Sequence, residues 1–406
     1  TESFRWHKIF VKKCQENKEE FIMKKAVSIF LVLAMAVGCF AGCGSKEAKK
    51  DADKFYIGGI GPTTGGAAVY GLAVQHGAEI AVEEINAAGG INGYQVEFKF
   101  QDDEADAEKS VNAYNALKDW GAQIIDGSTT SGACIAVTDK TKEDNMFQIT
   151  PSGSAVECVQ YDNNFRVCFS NPNQGLASAQ YIGENGLAEK IAVIYDSSDV
   201  YSSGIYEKFV KEAENQPFEV VAAEAFTADN KTDFSVQLQK AKDAGADMVF
   251  LPIYYQESAL ILTQAAAMGY APKWFSCDGM DGILGGVDNF DVSLTEGVML
   301  LTPFAADATD DLTQSFVTKY KEKYGETPNQ FAADSYDAIY VIKAAIEKSG
   351  VTPDMSVSDI CDGMKAAMTE ITVDGLTGNG MTWTADGEAN KAPKAVVIEN
   401  GAYKAM

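Results

Sequence analysis

Histidine is nearly missing from this chain: 406 residues contain two, His7 and His76. Zinc sites and Ser/His/Asp catalysis lean on imidazole, so both are hard to assemble here. Basic residues are also scarce, with 33 Lys and Arg against 58 Asp and Glu, a net charge of −25. Residues 1–42 hold 7 basic and 4 acidic side chains, leaving 26 basic against 54 acidic, or −28, on the remainder. A phosphate backbone is bound by clustered Lys and Arg that displace its counterions, which argues against nucleic acid as a partner. Crossing a membrane takes about 20 apolar residues, and the apolar stretch from Ala26 to Gly42 has 17. No Pro- or Gly-rich linker divides the body. What is present is 46% hydrophobic, enough for a large core, and the length exceeds one domain.

Met23, Lys24 and Lys25 precede that stretch, and small residues and Cys43 follow it. This is the layout of a signal peptide over 23–42. Phe40-Ala41-Gly42-Cys43 resembles the bacterial lipoprotein box, with Phe40 where Leu is usual; the resemblance implies diacylation of Cys43 and an extracytoplasmic body anchored by lipid. Residues 43–53 are small or charged and read as a flexible tether. Residues 1–22 precede Met23 and are of mixed character, so they read as upstream sequence translated in error, with Lys18-Glu19-Glu20 encoded by a purine-rich ribosome-binding site.

Of eight cysteines, Cys14 and Cys39 fall in the leader and Cys43 is the lipid site, which leaves five. None of those five lie at zinc-ligand spacing. Cys158 and Cys168 flank the turn-like residues 161–164, so either they form a local disulfide or both are buried small thiols.

The body alternates short apolar strands with amphipathic helices. Strands are expected at 55–60, 95–100, 122–126, 147–150, 191–195, 218–226 and 248–251. Helices are expected at 70–87, 106–120, 131–143, 176–185, 203–213, 234–244, 312–324, 332–348 and 356–368. Such alternation implies α/β architecture with doubly wound parallel sheets. The length implies two lobes joined by a hinge that the chain crosses more than once: 54–170 with 303–372 as lobe 1, and 171–302 with 373–406 as lobe 2. A small ligand is expected in the cleft between them, at the carboxyl ends of the strands.

Two loops at one sheet edge stand out. Residues 127–132 (Gly-Ser-Thr-Thr-Ser-Gly) open a helix, where unpaired N–H groups, the dipole and the hydroxyls of Thr130 and Ser131 favour an anion. Ordinary N-capping explains the same residues equally well. Residues 151–154 follow the next strand and bring Ser152 and Ser154 to the same edge.

These loops, together with residues 58–65 (GGIGPTTG), 81–93 (AVEEINAAGGING), 165–166, 201–204, 251–255, 277–279 and 336–338, resemble the branched-chain amino-acid-binding proteins. Those are extracytoplasmic receptors of ATP-driven (ABC) importers with the type I periplasmic-binding fold, and the resemblance spans roughly 54–400. It implies that Ser131, Ser152 and Ser154 hold the ligand's α-carboxylate and α-amino group, and that Asp278 pairs with the ammonium. Tyr201 and one of Tyr254 or Tyr255 would come from the second lobe, with Asp281 a bystander. Tyr70 either lines the side-chain pocket or packs. Gly127-Ser128-Thr129 stands where the family often has Gly-Pro-Val, which makes the wall more polar and leaves a branched-chain, small polar or other aliphatic ligand open. The resemblance further implies a monomer that binds without chemistry or cofactor and delivers its ligand to an ABC permease and ATPase. A receptor of the same fold feeding a signalling partner is the alternative. A nucleotide-dependent enzyme, suggested by Gly59-Ile60-Gly61, is disfavoured by Pro62 and by Thr64 at the sixth position.

Overall fold

A computed structural model describes residues 53–406. The signal peptide at 23–42, lipidation at Cys43, the upstream segment 1–22 and all of the tether except Asp53 lie outside the described residues. Lobe 1 is built from β1 (Lys54–Gly61), α1 (Ala68–Ala87), β2 (Gln95–Asp102), α2 (Ala107–Trp120), β3 (Ile124–Asp126), α3 (Ser131–Asp144), β4 (Phe147–Thr150) and β5 (Asn164–Arg166). Lobe 2 continues with α4 (Asn171–Glu184), β6 (Lys190–Asp196), α5 (Val200–Ala213), β7 (Glu219–Phe226), α6 (Ser235–Asp243), β8 (Met248–Leu251), α7 (Tyr255–Ala267), β9 (Lys273–Ser276) and β10 (Met299–Thr302). The chain then returns to lobe 1 for α8 (Asp311–Tyr324), α9 (Gln330–Ser349) and α10 (Val357–Met368), and ends in lobe 2 with β11 (Lys394–Glu399) and β12 (Ala402–Ala405).

The first sheet is parallel, in the order β2-β1-β3-β4-β5. The second runs β12-β11-β10-β9-β8-β6-β7, parallel except that β11 pairs antiparallel with both β10 and β12. Central strands β3, β4 and β8 are buried along their whole length, as helices on both faces require.

Close approach depends on glycine at two points. A Cβ on Gly61 would lie 2.2 Å from Thr129 Oγ1, and one on Gly77 would lie 2.0 Å from the Ala332 carbonyl. Gly77 thus lets α1 press on α9, while Gly61 admits the loop after β3 to the end of β1. The glycines at 58, 59 and 61 belong to β1 and make room for Leu117, Phe98, Phe100 and Thr129.

The chain passes between lobes three times, near 167–170, 303–310 and 391–393. The boundary expected at 373 falls some twenty residues later, because residues 373–391 are fastened to lobe 1. Leu376 and Thr377 N–H groups donate to the Asp337 carboxylate at 2.8 and 2.9 Å, and Trp383 Nε1 donates to the Arg166 carbonyl at 2.7 Å. Val373, Leu376, Met381 and Trp383 also join the hydrophobic core, but their spacings of three, five and two match no helical or strand period, so sequence pattern could not assign the segment. At the third passage Lys391 Nζ lies 2.5 Å from Asp334 Oδ1 with both side chains almost fully buried, and it donates to the Val167 carbonyl at 3.0 Å.

No disulfide joins Cys158 to Cys168; all five cysteines from Cys134 to Cys361 are buried free thiols. Cys158 Sγ turns toward the Ser131 carbonyl at 3.6 Å, on the α3 side, whereas Cys168 begins the first interlobe passage, close to Arg166 and Asp334. Among the described residues, no helix is long and apolar enough to cross a membrane.

Candidate functional site

Helix α3 begins without a cap of its own. Thr130 occupies the N-cap position but makes no side-chain bond to the helix, in contrast to Asp106, Ser170 and Asp199, which cap α2, α4 and α5. Nor does Ser131 cap it: the Ser131 Oγ accepts from the Ser154 and Ala155 N–H groups at 3.2 and 3.1 Å. The two hydroxyl loops are therefore stapled to each other, and the first turn of α3 keeps N–H groups available to a ligand. Thr150 completes the staple, donating to the Ser128 carbonyl at 2.7 Å and accepting from the Gly153 N–H at 2.7 Å.

Behind the second loop lies Arg166, fully buried at the end of β5. Its guanidinium donates to the carbonyls of Gly153, Ser154 and Ala155 at 3.2, 2.6 and 2.9 Å, with Glu388 Oε2 3.3 Å from Nε. Holding three successive carbonyls on one side leaves the N–H edge of the loop facing Ser131. It also sets a fixed positive charge beneath the edge where an anion would dock.

Lobe 2 supplies the opposite sign. Asp278, 4% exposed, follows β9 and accepts from the Tyr201 hydroxyl at 2.6 Å and from Gln174 Nε2 at 2.9 Å. Burial pushes its carboxyl up to about 7, the negative charge of Asp334 adds to the shift, and the Tyr201, Gln174 and Gly279 hydrogen bonds oppose it. A cation arriving here would restore the ionised form.

Between the two ends lies a void of about 240 Å³ lined by Tyr70, Thr129, Thr130, Ser131, Ser152, Tyr201, Tyr254, Asp278, Gly279 and Phe331. Seven of the residues singled out in the sequence meet here: Tyr70, Thr130, Ser131, Ser152, Tyr201, Tyr254 and Asp278. Ser154 and Tyr255 stand one layer back. Ser154 Oγ is 3.5 Å from Ser131 Oγ, and Tyr255 packs edge-on against Tyr70 with ring centroids 5.1 Å apart. Of the paired tyrosines, Tyr254 lines the void, and its ring stacks on Tyr201 at 4.9 Å. Thr129 belongs to the loop expected to make the pocket wall polar, whereas Gly279, Phe331, Gln174 and Arg166 were not assigned site roles from sequence. Of these four, only Arg166 carried a usable signal, a lone basic residue between the apolar Phe165 and Val167-Cys168-Phe169.

Contacts across the cleft close it on the hinge side. The Tyr70 hydroxyl donates to the Gly279 carbonyl and accepts from the Tyr255 N–H at 3.2 Å. Gln330, opening α9, donates through Nε2 to the Asp278 carbonyl and through its backbone N–H to Asp281 Oδ2, both at 2.9 Å. Asp281 is thus a fastener between lobes. Among the described residues, no group of three or more His, Cys, Asp or Glu is placed to hold a metal ion.

The periplasmic binding protein family model matches residues 54–402, almost the whole described body. The chain belongs to the periplasmic binding protein family. Two curated members are similar to it: Leu/Ile/Val-binding protein homolog 3 of Brucella melitensis, 31% identical over 73% of this chain and 80% of its own, and the leucine-, isoleucine-, valine-, threonine- and alanine-binding protein of Pseudomonas aeruginosa, 30% identical over 79% and 84%. Among solved members, the branched-chain amino acid transporter substrate-binding protein LivJ of Streptococcus pneumoniae, in complex with isoleucine, superposes with a TM-score of 0.78 at 28% identity, covering 87% of this chain and 99% of its own. The leucine-binding protein LivK of Thermotoga maritima gives 0.77 at 27%, covering 87% and 97%. This periplasmic binding protein therefore has the type I fold, two parallel-sheet α/β lobes around a ligand cleft.

Proposed function

We infer that this chain captures a free amino acid in the interlobe cleft and presents it to the permease of an ABC importer. The observation that carries the reading is the sign pattern across one void. On one wall lie uncapped N–H groups and hydroxyls backed by buried Arg166, suited to a carboxylate; on the other lies the buried Asp278 carboxylate, suited to an ammonium. A zwitterion with both groups on one carbon fits both walls at once. The names of the similar proteins support an amino acid as the ligand class.

Ser131, Ser152 and Thr130 receive the carboxylate, Asp278 receives the ammonium, and Tyr201 and Tyr254 cover the ligand as the lobes close. The protein acts by binding, and the hinge converts occupancy into a shape that the permease reads, which requires tighter binding to the closed state than to the open one. We further assign Cys43 as a lipid anchor behind the 23–42 signal, with a monomeric receptor held near the membrane. Mass spectrometry of protein recovered from bacterial membranes should find diacylglycerol on Cys43; a free Cys43 thiol would remove the anchor.

The test of the main reading is a thermal-shift screen of the twenty amino acids, followed by calorimetry. Saturating ligand at 100 times Kd adds about 2.7 kcal/mol of stability, a shift of several degrees. No shift with any amino acid would overturn the reading.

A further inference from the structure

Val69 stands half-buried in the first turn of α1, on lobe 1, and its two methyls enter a socket on lobe 2. A Cβ on Gly282 would lie 2.7 Å from Val69 Cγ1, and one on Gly286 would lie 2.6 Å from Val69 Cγ2 and 2.9 Å from Tyr255 Cε2. Side chains at 282 and 286 would claim the space that the valine fills, so glycine at both places is what admits it. Gly282 also has a φ of 108°, a backbone setting that other residues rarely adopt.

The socket belongs to the same segment as Asp278. From that residue the chain runs through consecutive turns, in which the N–H groups of Asp281, Ile283 and Gly286 donate to the carbonyls of Asp278, Met280 and Gly282 at 2.8, 3.1 and 2.8 Å. Met280 and Ile283 are buried, the Gly282 N–H donates to the Tyr403 hydroxyl on β12 at 3.2 Å, and Gln256 Nε2 on α7 donates to the Gly286 carbonyl at 3.3 Å. Residues 278–286 are therefore fastened to lobe 2 along their length and travel with it.

On lobe 1 the next residue is Tyr70, which lines the void and whose hydroxyl bridges the Gly279 carbonyl and the Tyr255 N–H. Val69 itself does not line the void. Each half of the contact thus adjoins a group that faces the ligand space: Val69 precedes Tyr70, and Gly282 lies four residues after Asp278. The contact stands beside the site without entering it, so it reaches a ligand only through the placement of the lobes.

We propose that the seating of Val69 between Gly282 and Gly286 is the latch of the closed cleft, with Val69 a positioning residue that sets affinity through the closing equilibrium. The proposal rests on the hinge-closure reading above and names the contact that regulates it. A ligand held between Ser131 and Asp278 draws the 278–286 segment against lobe 1, and the valine methyls then enter their socket. A socket already filled holds the lobes apart, and apparent affinity falls with the fraction of molecules able to close, while the ligand's own contacts are unchanged.

Purified wild-type protein and variants, compared across the twenty amino acids by thermal shift and then calorimetry, test this. Gly286→Ala should weaken binding tenfold or more, and Val69→Ala alone severalfold, each with the unliganded melting temperature within a few degrees of wild type. Adding Val69→Ala to Gly286→Ala should recover affinity severalfold, because the smaller side chain clears the added methyl; losses that simply add, or no loss in either single variant, would overturn the latch. A second arm needs no ligand. A Cβ at 282 would lie 3.6 Å from Val69 Cβ, within the roughly 3.5–4.5 Å of a disulfide, so Val69→Cys with Gly282→Cys should cross-link under oxidised glutathione with no amino acid added. Val69→Cys with Gly286→Cys serves if the backbone at 282 rejects cysteine, and folded protein that fails to cross-link would overturn the proposal. Wild-type protein that binds none of the twenty would overturn the amino-acid reading and leave the cross-link to decide the latch.

Discussion

The Tyr201 hydroxyl donates to Asp278 Oδ1 at 2.6 Å while accepting from the Gly279 N–H at 2.9 Å, so one phenol fixes both the carboxylate and the backbone that carries it. Asp278→Ala is expected to weaken amino-acid binding by about a hundredfold or more, since losing one member of a buried charge pair costs roughly 2–5 kcal/mol. The unliganded protein should unfold at nearly the same temperature, because the removed carboxyl is itself strained by burial. Unaltered affinity by calorimetry would remove Asp278 from the site.

Several carboxyls titrate high, among them Asp126 and Asp278 at about 7 and Asp199, Asp281 and Asp334 at about 6, with Asp103 and Asp337 also raised, each chiefly through burial. Each folded-state value lies above the ordinary carboxylate value of 3.8, so the folded chain binds more protons than the unfolded one between about pH 4 and 7. Stability of the unliganded protein should therefore fall as pH rises through that window. Affinity should run the other way, dropping on the order of tenfold per pH unit below about 7, because an ammonium ligand needs Asp278 ionised. Melting curves and titrations at pH 5, 6.5 and 8 check both slopes.

Ser131→Ala removes the acceptor shared by the Ser154 and Ala155 N–H groups. Leaving buried donors unpaired costs about 1–3 kcal/mol, so this variant should lose stability as well as affinity. Thr130→Val is expected to change affinity while leaving the melting temperature within a degree or two, since Thr130 Oγ1 makes no bond in the fold. Equal melting losses in both variants would refute the division of roles.

Lys391→Met leaves Asp334 buried without its cation, a change worth about 3–5 kcal/mol of stability. The deficit should be largest above about pH 6, where Asp334 is ionised, and smaller at pH 5. Urea unfolding at the two pH values measures the difference.

Alkylation of the unfolded, unreduced protein should label Cys134, Cys158, Cys168, Cys277 and Cys361. A mass corresponding to two fewer labels would restore a disulfide.

The repeating units of the fold were legible because apolar periods mark them: β4 and β8 lie where the pattern puts them, and α2, α3 and α8 agree to within a residue. Helix α4 starts at Asn171, five residues before the apolar pattern begins, because Ser170 caps it and Pro172 opens it. Strand β5 escaped notice since only one of its three residues, Phe165, packs in the hydrophobic core, while Asn164 and Arg166 are buried through hydrogen bonds. At the site, the hydroxyl loops and Asp278 could be read from local composition and resemblance. Phe331 and Gln174 could not, because they reach the cleft from helices far along the chain.

Neither lobe is a continuous stretch of the polypeptide: lobe 1 is interrupted by 171–302 and lobe 2 by the long return through α8, α9 and α10. No single cut in the gene would release one lobe intact. Recombination between related genes could exchange a whole lobe only through several simultaneous crossovers, and any single crossover makes hybrids within a sheet or across the cleft. Ligand preference in such a lineage is thus expected to change by substitutions lining the cleft, with the two halves inherited together.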